Sequence, residues 1–271
     1  HSSQKKINDI LYYAKKNGIN YLDTARVYGN AERNIGIFNK KSKKKNKFKV
    51  ITKLSNLEKA LSKNLEKVVK DSVNTSFKAL KENKIDILLI HNFNDLKKHG
   101  SNLIEQLNNL QKKGLIKDIG VSVYSPKEAI KCLKIKKIKH IQIPFNLIDQ
   151  RWLGSDFKNK LSSRPDIKIH ARSIFLRGLL LNNSKFWPKW FKNRNKTVYS
   201  IEILLGKLNK MNKVDLCLSY VKSFDWIDFI LIGVDSVNHL KEVLKMNKNK
   251  KLKSKERKFV VNFFKNAINS K

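Results

Sequence analysis

The sequence predicts an α/β protein, a (β/α)8 barrel, and three observations carry that prediction. Short runs rich in Ile, Val and Leu recur along the chain, longer amphipathic stretches separate them, and several runs are apolar at almost every residue. Parallel strands buried on both faces read this way, and strand–helix alternation builds a parallel sheet covered by helices. The 271 residues also suffice for one barrel domain of about 250. The expected strands are 21–24, 49–54, 85–91, 118–123, 140–146, 168–175 and 228–234, with helical patterns over 3–16, 57–80 and 103–113. Gly114 is expected just past the end of the last of these helices. Seven strands are countable and the chain opens on a helix, so the simplest account places the first barrel strand upstream of His1. An open doubly wound sheet is the alternative, and it would need a GxGxxG turn after its first strand, which the sequence lacks. No Pro-, Gly- or Ser-rich linker interrupts the chain, so 1–271 is expected as a single domain. Its 251–271 tail is expected as a helix with Phe259, Phe263 and Phe264 on one side. Residues 181–199, with Trp187, Pro188 and Trp190, are expected as a long loop after the sixth strand.

Composition narrows the setting. No apolar run reaches the roughly 18 residues that span a bilayer, and no apolar stretch follows His1 and Ser2 as a signal peptide would require. Cys132 and Cys217 have no metal-binding or redox spacing and are expected as buried free thiols in the reducing cytoplasm; no metal site and no membrane partner are expected. The net charge is +37, from 51 Lys and 8 Arg against 22 acids. Nucleic-acid sites favour Arg and interleave aromatic residues, whereas residues 40–49 are nearly pure Lys. Compositional drift toward Lys, Asn and Ile is therefore weighed above nucleic-acid binding. Oligomeric state is left open.

In a barrel, chemistry gathers at the C-terminal ends of the strands. Asp23 ends the first expected strand, Tyr28 lies in the turn after it, Lys53 ends the second and His91 the third. Each has an ordinary reading: a helix N-cap, a loop aromatic, a solvated charge, a core histidine. Their occurrence together at consecutive strand ends favours one site. A tyrosine has an ordinary pKa of about 10; an adjacent ammonium favours its phenolate, and a carboxylate paired with that ammonium holds it in place. A histidine beside them can orient a carbonyl oxygen. Such a group polarises and protonates a carbonyl, but hydride must come from a cofactor.

The segment GINYLDTARVYGNAE (18–32) resembles the signature of the aldo-keto reductases. VITK (50–53), KIDILLIH (84–91), LIKDIGVS (115–122), IQIPFN (141–146) and ARSIFLRG (171–178) follow in the order of that family's segments. The resemblance implies that Tyr28 is the proton donor, Lys53 its modulator, Asp23 the partner of Lys53, and His91 the carbonyl-orienting group. It implies reduction of an aldehyde or ketone to an alcohol with NADP(H), and the expected substrate is a sugar or another polar metabolite against which the tryptophan loop would stack. The alternative is a non-catalytic nicotinamide-binding barrel, a sensor or partner subunit. For the cofactor, the resemblance implies that Ser122 and Gln142 contact the carboxamide. It places Arg172 where an aromatic ring often stacks, and Ser173 through Gly178 beside the pyrophosphate. Val123 stands where the family has an Asn, so that contact is lost. Gly233, Asp235 and His239 fall at the adenosine end. Asp235 is acidic, and a carboxylate near a ribose favours the unphosphorylated cofactor, so NAD(H) stays open; the ordinary reading of Asp235 is the N-cap of a helix beginning near Val237.

Overall fold

The computed structural model describes residues 3–55 and 57–269, with side chains except at 44 and 266–269. The expectations at His1 and Ser2, and the last two residues of the expected C-terminal helix, lie outside the described residues. The chain forms two compact units, one of residues 1–142 with 159–168 and one of 143–158 with 169–271.

The first unit alternates helix and strand: α1 (Gln4–Lys16), β1 (Tyr21–Asp23), α2 (Ala31–Lys41), β2 (Lys49–Lys53), α3 (Leu65–Leu80), β3 (Ile85–Ile90), α4 (Phe93–Lys112), β4 (Ile116–Ser122), α5 (Pro126–Leu133) and β5 (Ile138–Pro144), whose last residues fall in the second unit. All neighbouring strands here are parallel, with Asp23 opposite Ile51, Lys53 opposite Leu89 and Ser122 opposite Gln142. Ile51, Ile87 and Leu89 pack as a buried cluster against Tyr21. Local signals set the helix starts: Ser3 Oγ accepts the Lys6 N–H, and Ser125 Oγ accepts that of Glu128 with Pro126 following, as capping predicts. Gly114, at φ +71°, follows α4 as expected.

α6 (Ser155–Ser162) crosses the unit boundary in sequence. The second unit carries β6 (Lys168–Arg172), α7 (Arg194–Lys207), α8 (Lys213–Val221), β7 (Phe229–Ile230), α9 (Val237–Asn247) and α10 (Ser254–Asn269). β6 and β7 are parallel. Within the first unit the strands follow chain order, β1 to β5.

Several boundaries differ from expectation. The seventh strand shrinks to Phe229–Ile230, although Asp228 and Leu231 still donate their N–H groups to Ile169 and Ala171. The third helix begins at Leu65 rather than 57, because the segment after β2 is taken up in turns. α4 begins ten residues before the expected start and is broken at Gly100, where φ is +53° and ψ −131°; glycine accepts that conformation without a Cβ clash. The phenylalanines of α10 adjoin one another, with centroids 5.7 Å apart for Phe259 and Phe263 and 6.2 Å for Phe263 and Phe264, but only Phe264 of the outer two is buried and Phe259 is exposed. Within the expected 181–199 loop, α7 already begins at Arg194.

Candidate active site

The parallel register places Asp23 and Lys53 at the same end of adjacent strands, and His91 directly follows β3. Lys53 is almost wholly buried. Its Nζ donates to Asp23 Oδ1 at 2.6 Å and to the Thr24 carbonyl at 2.8 Å, and lies 5.2 Å from the centre of the Tyr28 ring. Tyr28 is held in its turn by an N–H bond to the Ala25 carbonyl and keeps half its surface exposed (50%). The His91 ring stands edge-on to that of Tyr28, with centroids 6.2 Å apart. Asp23, Tyr28, Lys53 and His91 therefore converge within the first unit, as the strand ends predicted. Asp23 does not cap a helix; α2 has Asn30 at its N-cap position.

Gln142 belongs to the same network. Its Nε2 donates to Asp23 Oδ2 at 2.8 Å, so both carboxylate oxygens are engaged. Sequence reasoning assigned Gln142 to a cofactor amide only and could not see a bond spanning 119 positions. It also missed Glu32, a buried carboxylate that accepts from Thr52 Oγ1 at 2.7 Å and pairs with Arg26. The one available signal was the position of Glu32 at the end of the 18–32 motif. A buried carboxylate needs such partners, and here they join the β1 turn and the start of α2 to β2.

Ser122, the last residue of β4, is buried, and the adjoining Val123 N–H donates to the Gln142 carbonyl at 2.9 Å. In the second unit, Arg172 Nη1 donates to Ser173 Oγ at 3.5 Å, and Ser173 begins a turn with unusual backbone. Ser173, Leu176 and Arg177 all have positive φ (+58°, +47° and +54°), and Gly178 follows at +87°. Non-glycine residues in this region cost roughly 1–3 kcal/mol each, and such strain gathers at functional sites. The turn is held by Leu176 N–H on the Ser173 carbonyl (2.8 Å) and Gly178 N–H on that of Phe175 (2.9 Å). Cations and a hydroxyl on such a turn suit an anionic group.

The adenosine-end expectation needs a correction. The N-cap of α9 is Ser236, whose Oγ accepts from His239 N–H at 3.1 Å; it is not Asp235. Asp235 precedes the cap, is 85% exposed and pairs with His239 Nδ1 at 3.4 Å. The Ser236 hydroxyl first, then His239, holds its carboxyl below the usual carboxylate range. Gly233 lies between β7 and this cap.

Comparison with known proteins identifies the family. The model of the Aldo/keto reductase family matches residues 1–261. A curated relative, the uncharacterized oxidoreductase YqkF of Bacillus subtilis, is 23% identical over 94% of this chain and 86% of its own length. The holo form of aldo-keto reductase AKR11C1 from Bacillus halodurans aligns over 97% of this chain and 88% of its own at 21% identity, with a TM-score of 0.80. The glycerol dehydrogenase AKR11B4 from Gluconobacter oxydans aligns over 100% of this chain and 89% of its own at 23% identity, also with a TM-score of 0.80. Those structural likenesses share the fold, while the family match rests on the sequence. The chain belongs to the aldo/keto reductase family of oxidoreductases.

Proposed function

We propose that the chain reduces an aldehyde or ketone to an alcohol, with Tyr28 as proton donor. The observation that carries this reading is the buried Lys53 ammonium, held by Asp23 and the Thr24 carbonyl and placed over the Tyr28 ring. Gln142 and Lys53 engage both oxygens of Asp23, so the carboxylate stays oriented. That orientation keeps the ammonium beside the phenol. A positive charge there favours the phenolate left after proton transfer, which makes Tyr28 a usable acid near neutrality. His91, edge-on to Tyr28, is proposed to donate to the same carbonyl oxygen and polarise it. The proton then passes from Tyr28 Oη to the oxygen of the reduced carbonyl, and solvent restores the phenol through its exposed side.

A bound nicotinamide cofactor would supply the hydride. Ser122 and Gln142 are proposed to contact its carboxamide. In the second unit Arg172, Ser173 and Gly178 are proposed to face its pyrophosphate, with Gly233, Asp235 and His239 toward the adenosine. The strained, cationic turn fits an anion. NADP(H) is the proposed cofactor, with NAD(H) the test of Asp235. We further propose that the chain acts as a single catalytic domain of (β/α)8 type. The substrate is a polar carbonyl compound.

The test follows loss of absorbance of NADPH and NADH against a panel of aldoses and simple aldehydes. Tyr28→Phe is expected to lower kcat by at least about a hundredfold while leaving the cofactor dissociation constant unchanged. Undiminished turnover in Tyr28→Phe would refute the proton-donor role. Cofactor binding without oxidation by any carbonyl would favour the sensor or partner-subunit reading instead.

A further inference from the structure

The loop and turns that precede α7 carry an arrangement outside the four-residue catalytic group. Between Asp166 and Glu202 the sequence contains no acidic residue, and residues 185–196 alone hold Lys185, Lys189, Lys192, Arg194 and Lys196. Four aromatic residues are set among them. Trp187 is buried, with only 3% of its surface exposed, and anchors the segment; its ring packs on Phe191 at 5.0 Å. Trp190 lies against the same Phe191 at 6.1 Å yet is 78% exposed, and Phe186 is 61% exposed. The Lys185 ammonium sits 5.1 Å over the Phe186 ring.

We propose that this segment is a peripheral docking surface for an anionic lipid bilayer. Large exposed rings beside a buried tryptophan, flanked by lysines and no acids, have the chemistry of an interfacial anchor. The rings sit at headgroup depth, and the ammonium groups meet lipid phosphate and carboxylate. Lysine stems reach apolar depth while their charges remain in the headgroup layer, which is the arrangement of Lys185 over Phe186. Four of the five cations are lysines, and one of them covers a face of the Phe186 ring, whereas nucleic-acid sites favour Arg and open ring faces, so the observations favour lipid over a single-stranded nucleic acid. The sequence expectation was of no membrane partner, and this proposal departs from it. Among the described residues no helix is long and apolar enough to cross a membrane, and surface docking needs none.

The test uses the full chain in co-sedimentation with phosphatidylcholine vesicles, with and without about one third phosphatidylserine. The expected result is binding to the anionic vesicles only, weakened by raising NaCl to about 0.5 M. Trp190→Ala with Phe186→Ala is expected to lower the partition coefficient by about tenfold or more with an unchanged circular dichroism spectrum and Tm. Trp190→Phe keeps most of the binding and removes the blue shift of tryptophan emission that vesicles cause in the parent chain, since Trp152 and Trp187 are buried and Trp226 packs on Phe145, Phe157 and Phe224 away from this segment. Equal binding by the double alanine variant would overturn the proposal. So would an absence of binding to anionic vesicles, or binding to a labelled single-stranded oligonucleotide that requires Trp190 while vesicles are ignored.

Discussion

Lys53 keeps an ammonium almost wholly out of water, with 1% of its side chain exposed. Burying an ion costs several kcal/mol, and Asp23 with the Thr24 carbonyl offsets that cost only because they meet it at 2.6 and 2.8 Å. Asp95 shows the opposite balance. It is buried, one carboxylate oxygen has no hydrogen-bond partner among the described residues, and the Leu57 N–H is its backbone partner. His99, one turn along α4, has Nε2 at 3.2 Å from the Leu57 carbonyl. Since a carbonyl only accepts, the ring donates, and α4 thus clamps both polar groups of Leu57. Desolvation raises the Asp95 pKa above the ordinary carboxylate value, outweighing the Leu57 bond and His99. A raised pKa means that the folded chain holds this proton to higher pH than the unfolded chain does. The resulting stability is present at low pH and is lost as pH rises through the folded pKa. Asp95→Asn keeps an acceptor for Leu57 without the charge. Its Tm is expected to exceed the parent's at about pH 8 and to converge with it toward about pH 4, near the ordinary carboxylate pKa. A lower Tm at the higher pH would show that the charge itself is stabilising. The ionisable ends of β1 to β3 were legible at this scale because each sits at the end of a local apolar run. The pairing of Asp95 with Leu57 was not, since no local pattern marks it.

Strand β4 shows how tightly the elements approach. A Cβ added at Gly120 would come within 2.6 Å of the His140 carbonyl oxygen on β5 and would also press on the Leu89 side chain of β3. Backbone cannot yield as a flexible side chain can. Gly120→Ala is therefore expected to destabilise the fold by about 1–3 kcal/mol, read as a lower urea midpoint with unchanged m-value. Gly36 on α2 is the helical counterpart, since a Cβ there would meet the Leu80 backbone of α3 at 2.6 Å. Element order was legible in the sequence because parallel strands covered by helices leave apolar runs at regular spacing. Element ends were less so. β7 reduces to two residues, and α4 starts early because Asn92 caps it by accepting the Asn94 N–H at 2.9 Å. Whether a tryptophan was a wall or a protrusion was equally hidden: Trp187 and Trp190 are three positions apart, yet the first is buried and the second exposed.

The whole chain carries +37, with 22 acids available to pair with 59 bases. Like charges at this density repel and weaken the compact state. Raising NaCl from about 10 mM to about 0.5 M shortens the screening length from about 30 Å to a few Å, so Tm is expected to rise. A Tm that falls or stays constant over that range would contradict net self-repulsion. The charge is itself a property of the sequence, as are the α/β class, the strand order and the four residues at the strand ends. Local periodicity and residue type suffice for these. The tertiary structure alone decided that Gln142 holds Asp23 across 119 positions, that Glu32 joins Thr52 and Arg26, and that Ser236 rather than Asp235 caps α9. The first two depend on strand register, which brings together groups that sequence separation leaves independent. The last depends on backbone angles one residue apart, which residue preference cannot distinguish.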